Sequence, residues 1–304
     1  MQREKIIILG SGPAGLNAAL YTARANLDPL VLSGIELGGQ VSLTYEVENY
    51  IGFPEGITGP DLIERMHKQA KSFGARFVMN EATHVDLSQG SPFRVHTHKE
   101  EYETDALIIA TGASPKRLGI PGEDGYIGRG VSFCATCDGF FFRDKDVLVV
   151  GGGDSAIEES IFLTKFAKRV RVIHRRDELR AGETLKKTAF ANEKIDFLWN
   201  TVLEEIQGEE KVQSVLARNV ETNETTQLQT DGVFVFIGHY PNSDIFTDQL
   251  NMDEQGYVIT DKRMMTSVLG VFAAGEIQDR TFRQISTSVG QGCAAALMAE
   301  RWLR

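Results

Sequence analysis

Two of the three cysteines in this 304-residue chain, Cys134 and Cys137, are separated only by Ala135 and Thr136. At that spacing two sulfurs can close into a readily reduced disulfide. Once reduced, one thiol can stabilise its neighbour's thiolate, the reactive species. Four zinc ligands cannot easily be assembled here, because no second cysteine pair and no nearby histidine is present. No metal is expected, and the pair reads as redox-active. Asp138 follows directly and is the candidate proton donor or acceptor, its other reading being a turn or cap residue. Phe140, Phe141 and Phe142 come next. On a strand or helix they cannot all face one way, so at least one is expected at the surface. An apolar patch there would exclude water while a disulfide is exchanged with another protein. Phe140 and Phe141 are the candidates for such docking, with Arg129 as a polar anchor at the rim. Cys293, among Gly292 and Ala294–Ala296, is expected to be buried helix packing without chemistry.

Two glycine-rich turns supply a second kind of chemistry. Gly10-Ser11-Gly12-Pro13-Ala14-Gly15 follows the apolar run Ile6–Leu9, and Gly151-Gly152-Gly153-Asp154-Ser155-Ala156 follows Val147–Val150. Each then opens a helical pattern. In that setting the first glycine permits a tight turn, the second admits a pyrophosphate and the third lets helix and strand pack closely. The helix N-terminus holds the phosphates. Residues beyond the second strand separate the two ligands. Glu36 lies 21 residues after Gly15 and can accept hydrogen bonds from a ribose diol, which suits a dinucleotide without a 2′-phosphate, such as FAD. The corresponding region of the second unit reads His174-Arg175-Arg176, with Arg180 close behind. Guanidinium groups match phosphate geometry and stay charged, so this pocket predicts NADPH in preference to NADH.

The elements that position these residues come in duplicate. The two turns start 141 residues apart, and each is followed by a helix (Leu16–Ala25, Ile157–Phe166) and a short strand (Pro29–Leu32, Arg169–Ile173). Alternating stretches then follow. Arg76–Asp86, Phe93–His98 and Glu101–Asp105 precede a strand Ala106–Ala110, and Val202–Ile206, Val212–Asn219 and Thr225–Gln229 precede Gly232–Ile237. The expected fold class is α/β, with two Rossmann-like three-layer nucleotide-binding domains, each a parallel sheet with helices and an extra antiparallel β-meander. Gly270–Ala274 and a helix from about Gln284 to Leu303 are too short to form a domain and must pack onto one half. The loops Ser114–Gly130 and Tyr240–Asp244 are the expected boundaries.

Composition narrows the function classes. A net charge of −10 argues against binding a nucleic-acid phosphate backbone. The apolar runs have strand length, and no signal-peptide pattern precedes Ile6, so a cytoplasmic protein is expected. The six histidines show no zinc-ligand spacing, and His96 and His98 read as a solvated strand edge.

Taken in order, the motifs resemble those of the low-molecular-weight, bacterial-type thioredoxin reductases, from about Lys5 to the C-terminus. The resemblance rests on Gly10–Gly15, Ser33-Gly34-Ile35-Glu36-Leu37-Gly38-Gly39-Gln40, Glu48-Asn49, Ala110-Thr111-Gly112-Ala113, Cys134–Gly139, Gly151–Ala156, His174-Arg175-Arg176 and Gly238–Asn242. It implies a discontinuous FAD-binding domain, residues 1–113 and 242–304, around an NADPH-binding domain, residues 114–241, that carries the cysteines. It implies FAD contacts at Gly10, Gly12, Pro13, Ala14, Gly15, Ser33, Gly34, Glu36, Gly38, Gly39, Gln40, Asn49, Ala110, Thr111, Gly112, Gly275, Glu276, Arg283, Gln284 and Ile285. NADPH contacts are implied at Gly151, Gly153, Asp154, Ser155, Ala156, His174, Arg175, Arg176, Arg180 and Gly238.

The implied reaction passes a hydride from NADPH to the flavin N5, reduces the Cys134–Cys137 disulfide with Cys137 nearest the flavin, and ends in thiol–disulfide exchange with a thioredoxin-like protein. In this family the middle domain swings between two orientations, and the enzymes are homodimers. Two residues depart from the family pattern: Glu276 stands where Asp is usual, and Phe282 where Tyr is usual. Two alternatives stay open. One is a flavin-dependent NADPH oxidoreductase with another acceptor; the other is a sensor that binds both nucleotides without turnover.

Overall fold

Ile6, Ile7, Ile8 and Leu9 are all buried, as in a strand covered on both faces. They end β1 (Gln2–Leu9) in the computed structural model, which describes residues 1–44 and 46–304. The chain continues through α1 (Pro13–Arg24), β2 (Leu30–Leu32), α2 (Gly59–Ser72), β3 (Arg76–Val78), β4 (Ala82–Asp86), β5 (Phe93–Thr97) and β6 (Glu101–Ile109). These strands lie in the order β3-β2-β1-β6-β5-β4. The first four in this order, β3, β2, β1 and β6, run parallel, while β5 and β4 extend the sheet as antiparallel strands.

Glu101–Asp105 and Ala106–Ala110, expected as two strands, form the single strand β6. Its first half is alternately buried and its second half continuously buried. The pattern changes because the edges differ: Glu101–Thr104 pair with β5, whereas the later residues lie within the parallel core. His98, read with His96 as a solvated strand edge, falls beyond β5, and His96 faces His84 across the β4–β5 pair.

Through β7 (Ala113–Pro115) the chain enters a second compact unit. Unit 1 comprises Met1–Ser114 and Tyr240–Arg304, and unit 2 comprises Pro115–His239. Unit 2 contains β8 (Val131–Ser132), α3 (Ala135–Asp138), β9 (Asp146–Val150), α4 (Asp154–Leu163), β10 (Arg169–Ile173), α5 (Glu183–Phe190) and β11 (Ile195–Leu198). Next come β12 (Thr201–Gly208), β13 (Val212–Asn219), β14 (Thr225–Gln229) and β15 (Gly232–Val235). A parallel sheet, β11-β10-β9-β15-β8, is covered on one side by helices and on the other by the antiparallel β12-β13-β14 meander. Alternation along β9 makes these layers: Val147 and Val149 pack with Ile157 of α4, and Leu148 and Val150 with Leu203 and Val215 of the meander.

The chain leaves unit 2 along β16 (His239–Pro241), which pairs with β7. Two last elements complete unit 1. β17 (Val271–Ala273) pairs parallel with Leu107–Ile109, and α6 (Ile285–Trp302) packs on α1. A side chain at Gly292 would overlap the Ala14 backbone, which accounts for the small residues at this helix crossing. Cys293, expected to be buried, is half-buried and hydrogen-bonded with the Tyr21 phenol, whose pKa it raises.

The duplication is visible in backbone hydrogen bonds. Gly10 and Gly151 donate to the carbonyls of Leu32 and Ile173, and the next residues, Ser33 and His174, donate to Val78 and Leu198. Among the described residues, no helix is long and apolar enough to cross a membrane.

Candidate redox and nucleotide sites

In unit 1 the turn from β1 to α1 holds Gly10 at a φ of 103°, a region that favours glycine. A side chain there would overlap the Ala110 carbonyl, and one at Gly15 would overlap the Gly10 carbonyl. Gly12 is different. The nearest atom to a Cβ at that position would be the Gly38 oxygen, 3.9 Å away, so its face is open. Pro13 starts α1 without a side-chain cap, leaving the first-turn amides of Ala14 and Gly15 available to an anion.

Ser11 fastens the next loop to this turn. Its hydroxyl donates to the Ser33 carbonyl at 2.9 Å and accepts the Gly38 N–H at 3.1 Å. Gly34, Glu36, Gly38, Gly39 and Gln40 are thereby held beside the glycines, with Glu36 exposed. Ser33 is 4% exposed, and its Oγ is buried with no hydrogen-bond partner among the described residues. A buried hydroxyl of this kind requires a partner, and a bound ribose or adenine would provide one.

Further residues gather from distant positions. Ala110 lies against Gly10, and Thr111 exchanges two hydrogen bonds with Asn242, both at 2.8 Å, which fixes the loop at Gly112. Gly275 approaches Ala14 so closely that an added Cβ would come within 2.9 Å of the alanine methyl. Its N–H donates to Gln291 Oε1 at 2.9 Å, and Gln291 in turn donates to Asp279 at 2.9 Å. Burial raises the neighbouring Glu276 to about 7, with Arg283 opposing the shift and Asp279 adding to it. Asn49 donates to Gln284 at 3.3 Å, and Ile285 packs with Val47, Ile57 and Leu62. Sequence reading assigned no role to Ser11, Asn242, Asp279 or Gln291. Their partners are brought near only by the fold, and the motifs that contain Ser11 and Asn242 do not reveal these bonds.

Unit 2 repeats the open turn. A Cβ at Gly151 would lie 2.5 Å from the Phe236 oxygen, whereas nothing lies within 4 Å of one at Gly153. Ala156 replaces the third glycine, and its methyl packs against Gly151. Ser155 is exposed in the first turn of α4. The arginine loop is tied to this turn twice: the Arg180 N–H donates to the Gly152 carbonyl, and the Gly182 N–H to Asp154 Oδ1, both at 2.7 Å. Asp154, expected to contact the nucleotide, thus uses one carboxylate oxygen to hold that loop.

His174 is 5% exposed, and its Nε2 is buried with no partner among the described residues. Burial lowers its pKa, and the charges of Arg180, Arg176 and Arg175 lower it further. All three arginines are exposed. This collection of positive charge fits a phosphate. Gly238, at φ 109°, sits beside the Lys116 side chain.

Also in unit 2, Cys134 and Cys137 form a disulfide at α3. Cys134 caps this short helix, its Sγ accepting the Cys137 N–H at 3.2 Å. The same bond would stabilise a thiolate on Cys134 after reduction. Burial raises the pKa of Asp138 and the Ser132 hydroxyl, at 2.5 Å, lowers it. Of the three phenylalanines, Phe142 is buried, Phe141 lies at the edge of the core and Phe140 is 52% exposed. Arg129, the expected anchor, is exposed over Tyr126 at 5.9 Å. The guanidinium at Phe140 is that of Arg143, 5.2 Å from the ring centre. Sequence reading had not singled out Arg143.

The sequence model of the pyridine nucleotide-disulphide oxidoreductases matches residues 4–292. The chain belongs to this family. Membership implies use of a flavin and a pyridine nucleotide. Among the pyridine nucleotide-disulphide oxidoreductases it is similar to is a thioredoxin reductase from Mycolicibacterium smegmatis, 51% identical and covering 98% of this chain and 96% of the relative. Another, from Peptoclostridium acidaminophilum, is 48% identical with the same coverage. The crystal structure of thioredoxin reductase from Streptococcus pyogenes MGAS5005 superposes with a TM-score of 0.96 at 45% identity, covering 99% of this chain and 98% of that one.

Proposed function

We propose that the chain is an NADPH-dependent thioredoxin-disulfide reductase, with FAD held by unit 1, NADPH by unit 2, and homodimeric assembly. The observation that carries this reading is the Cys134–Cys137 disulfide next to a buried carboxyl, in the unit that also bears an arginine-flanked glycine turn. The likeness to thioredoxin reductases over nearly the whole chain supplies the acceptor.

In unit 1 the open face at Gly12, the α1 amides and the unsatisfied Ser33 hydroxyl fit the pyrophosphate and adenosine end of FAD. Glu276, Arg283 and Gln284 would hold its other end. In unit 2 Gly153 would admit the NADPH pyrophosphate, while His174, Arg175, Arg176 and Arg180 would take the 2′-phosphate. When bound, FAD supplies a two-electron carrier between nicotinamide and disulfide. The remaining chemistry belongs to the side chains. Cys134, favoured as a thiolate by the Cys137 amide, attacks the partner disulfide, Cys137 resolves the mixed disulfide, and Asp138 carries the proton. Phe140 and Arg143 offer the partner an apolar surface with a cationic edge.

Anaerobic reductive titration of the holoenzyme tests this directly. Wild type should take up about four electrons per subunit and Cys137→Ser about two. Equal uptake would remove the disulfide from the pathway, and absence of NADPH-driven thioredoxin reduction by wild type would overturn the assignment of acceptor.

A further inference from the structure

The Ser132 hydroxyl makes contacts that neither strand pairing nor helix capping requires. Ser132 ends β8 and is 4% exposed. Its Oγ lies 2.5 Å from Asp138 Oδ2 and 3.2 Å from the Cys134 carbonyl oxygen, and it accepts the Cys134 N–H at 3.1 Å. A hydroxyl has one proton and two lone pairs. With Asp138 ionised, that proton goes to the carboxylate. With Asp138 protonated, the carboxyl O–H donates to Ser132 Oγ, and the serine proton turns to the Cys134 carbonyl. Each of these atoms has a partner in either state. An unmatched polar atom in so buried a place would be costly.

We propose that Ser132 is a positioning residue that gives the Asp138 carboxyl a hydrogen-bond partner in both of its protonation states, so that Asp138 can pass a proton to and from the thiol chemistry. The proposal rests on reading Asp138 as the proton carrier. In that chemistry the Cys134 thiolate attacks one sulfur of the partner disulfide. A bond forms between Cys134 and that sulfur, the partner S–S bond breaks, and the electron pair stays on the departing sulfur, which takes the Asp138 proton. Cys137 then returns a proton to Asp138 as its thiolate attacks Cys134. The internal disulfide re-forms and the second partner thiolate leaves. The partner disulfide is reduced and the enzyme dithiol is oxidised, with no other reagent.

Ser132 also connects this exchange to the main chain, since the same oxygen holds the Cys134 amide. Burial raises the carboxyl's pKa and the Ser132 bond lowers it; the ionisable groups of the packed helix α4 are Asp154, Glu158 and Glu159, and Arg143 and Lys145 follow Phe142.

The test compares Ser132→Ala and Ser132→Thr holoenzymes. For Ser132→Ala we expect kcat with thioredoxin to fall about tenfold while KM for NADPH and the flavin absorbance spectrum stay unchanged. The pH profile of thioredoxin reduction should move upward by about one unit, because the bond that lowers the acid's pKa is gone. Ser132→Thr should keep the wild-type profile. In an Asp138→Asn background Ser132→Ala should add nothing. A wild-type kcat and pH profile in Ser132→Ala would overturn the proposal, as would an additive loss in the double variant. Wild-type turnover by Asp138→Asn alone would instead overturn the role of Asp138, a distinguishable failure.

Discussion

The imidazole of His174 occupies the space that a side chain at position 152 would need; the ring atoms are the nearest neighbours of a Cβ built on Gly152. The strand end that carries the arginines is thus packed directly on the glycine turn. Gly152→Ala should displace the ring, or the Arg180 N–H bond to the Gly152 carbonyl, and raise KM for NADPH about tenfold. The flavin spectrum should be unaffected, and stopped-flow NADPH binding would measure the change.

The arginines should act on one nucleotide only. Arg175→Ala combined with Arg176→Ala is expected to raise KM for NADPH about a hundredfold through loss of charge-assisted hydrogen bonds. KM for NADH should stay within about twofold, since its ribose has no phosphate for them. Steady-state kinetics with both nucleotides would decide.

Glu276 should make stability depend on pH. Its folded pKa, about 7, lies above its ordinary value of 4.5, so the folded state retains a proton that the unfolded chain releases. The contribution is therefore complete below about pH 4.5 and lost as pH rises toward about 7. The Tm of the apoprotein should fall by a few degrees across that window, and Glu276→Gln should flatten the slope. Calorimetry at a series of pH values would show it.

Phe140→Ala should raise KM for thioredoxin about tenfold, as expected for an exposed aromatic anchor. Arg143→Ala, which removes the guanidinium over that ring, should act in the same direction but less. Phe140 is half exposed, so Tm should hardly change.

What was legible in the sequence was what is encoded locally. The glycine turns could be read because strand, turn and helix start all lie within about ten residues. The cysteine pair was equally plain. Ser11 and Gln291 were invisible because their roles depend on partners that only the folded sheet brings near. Arg143 was overlooked in favour of Arg129 because proximity to Phe140 depends on how the segment after the cysteines coils. The strand β6 was divided in two because its edge partner changes midway, which alters the burial rhythm without breaking the strand.

The β7–β16 pairing has a consequence for biosynthesis. Residues 115–239 enter and leave along adjacent strands, with the Lys116 N–H bonded to the Gly238 carbonyl, so this stretch has its ends together and can close on itself. Unit 1 still lacks β17 and α6 at that moment. As the polypeptide emerges from the ribosome, residues 115–239 can therefore mature first, while unit 1 remains unfinished until α6 is translated.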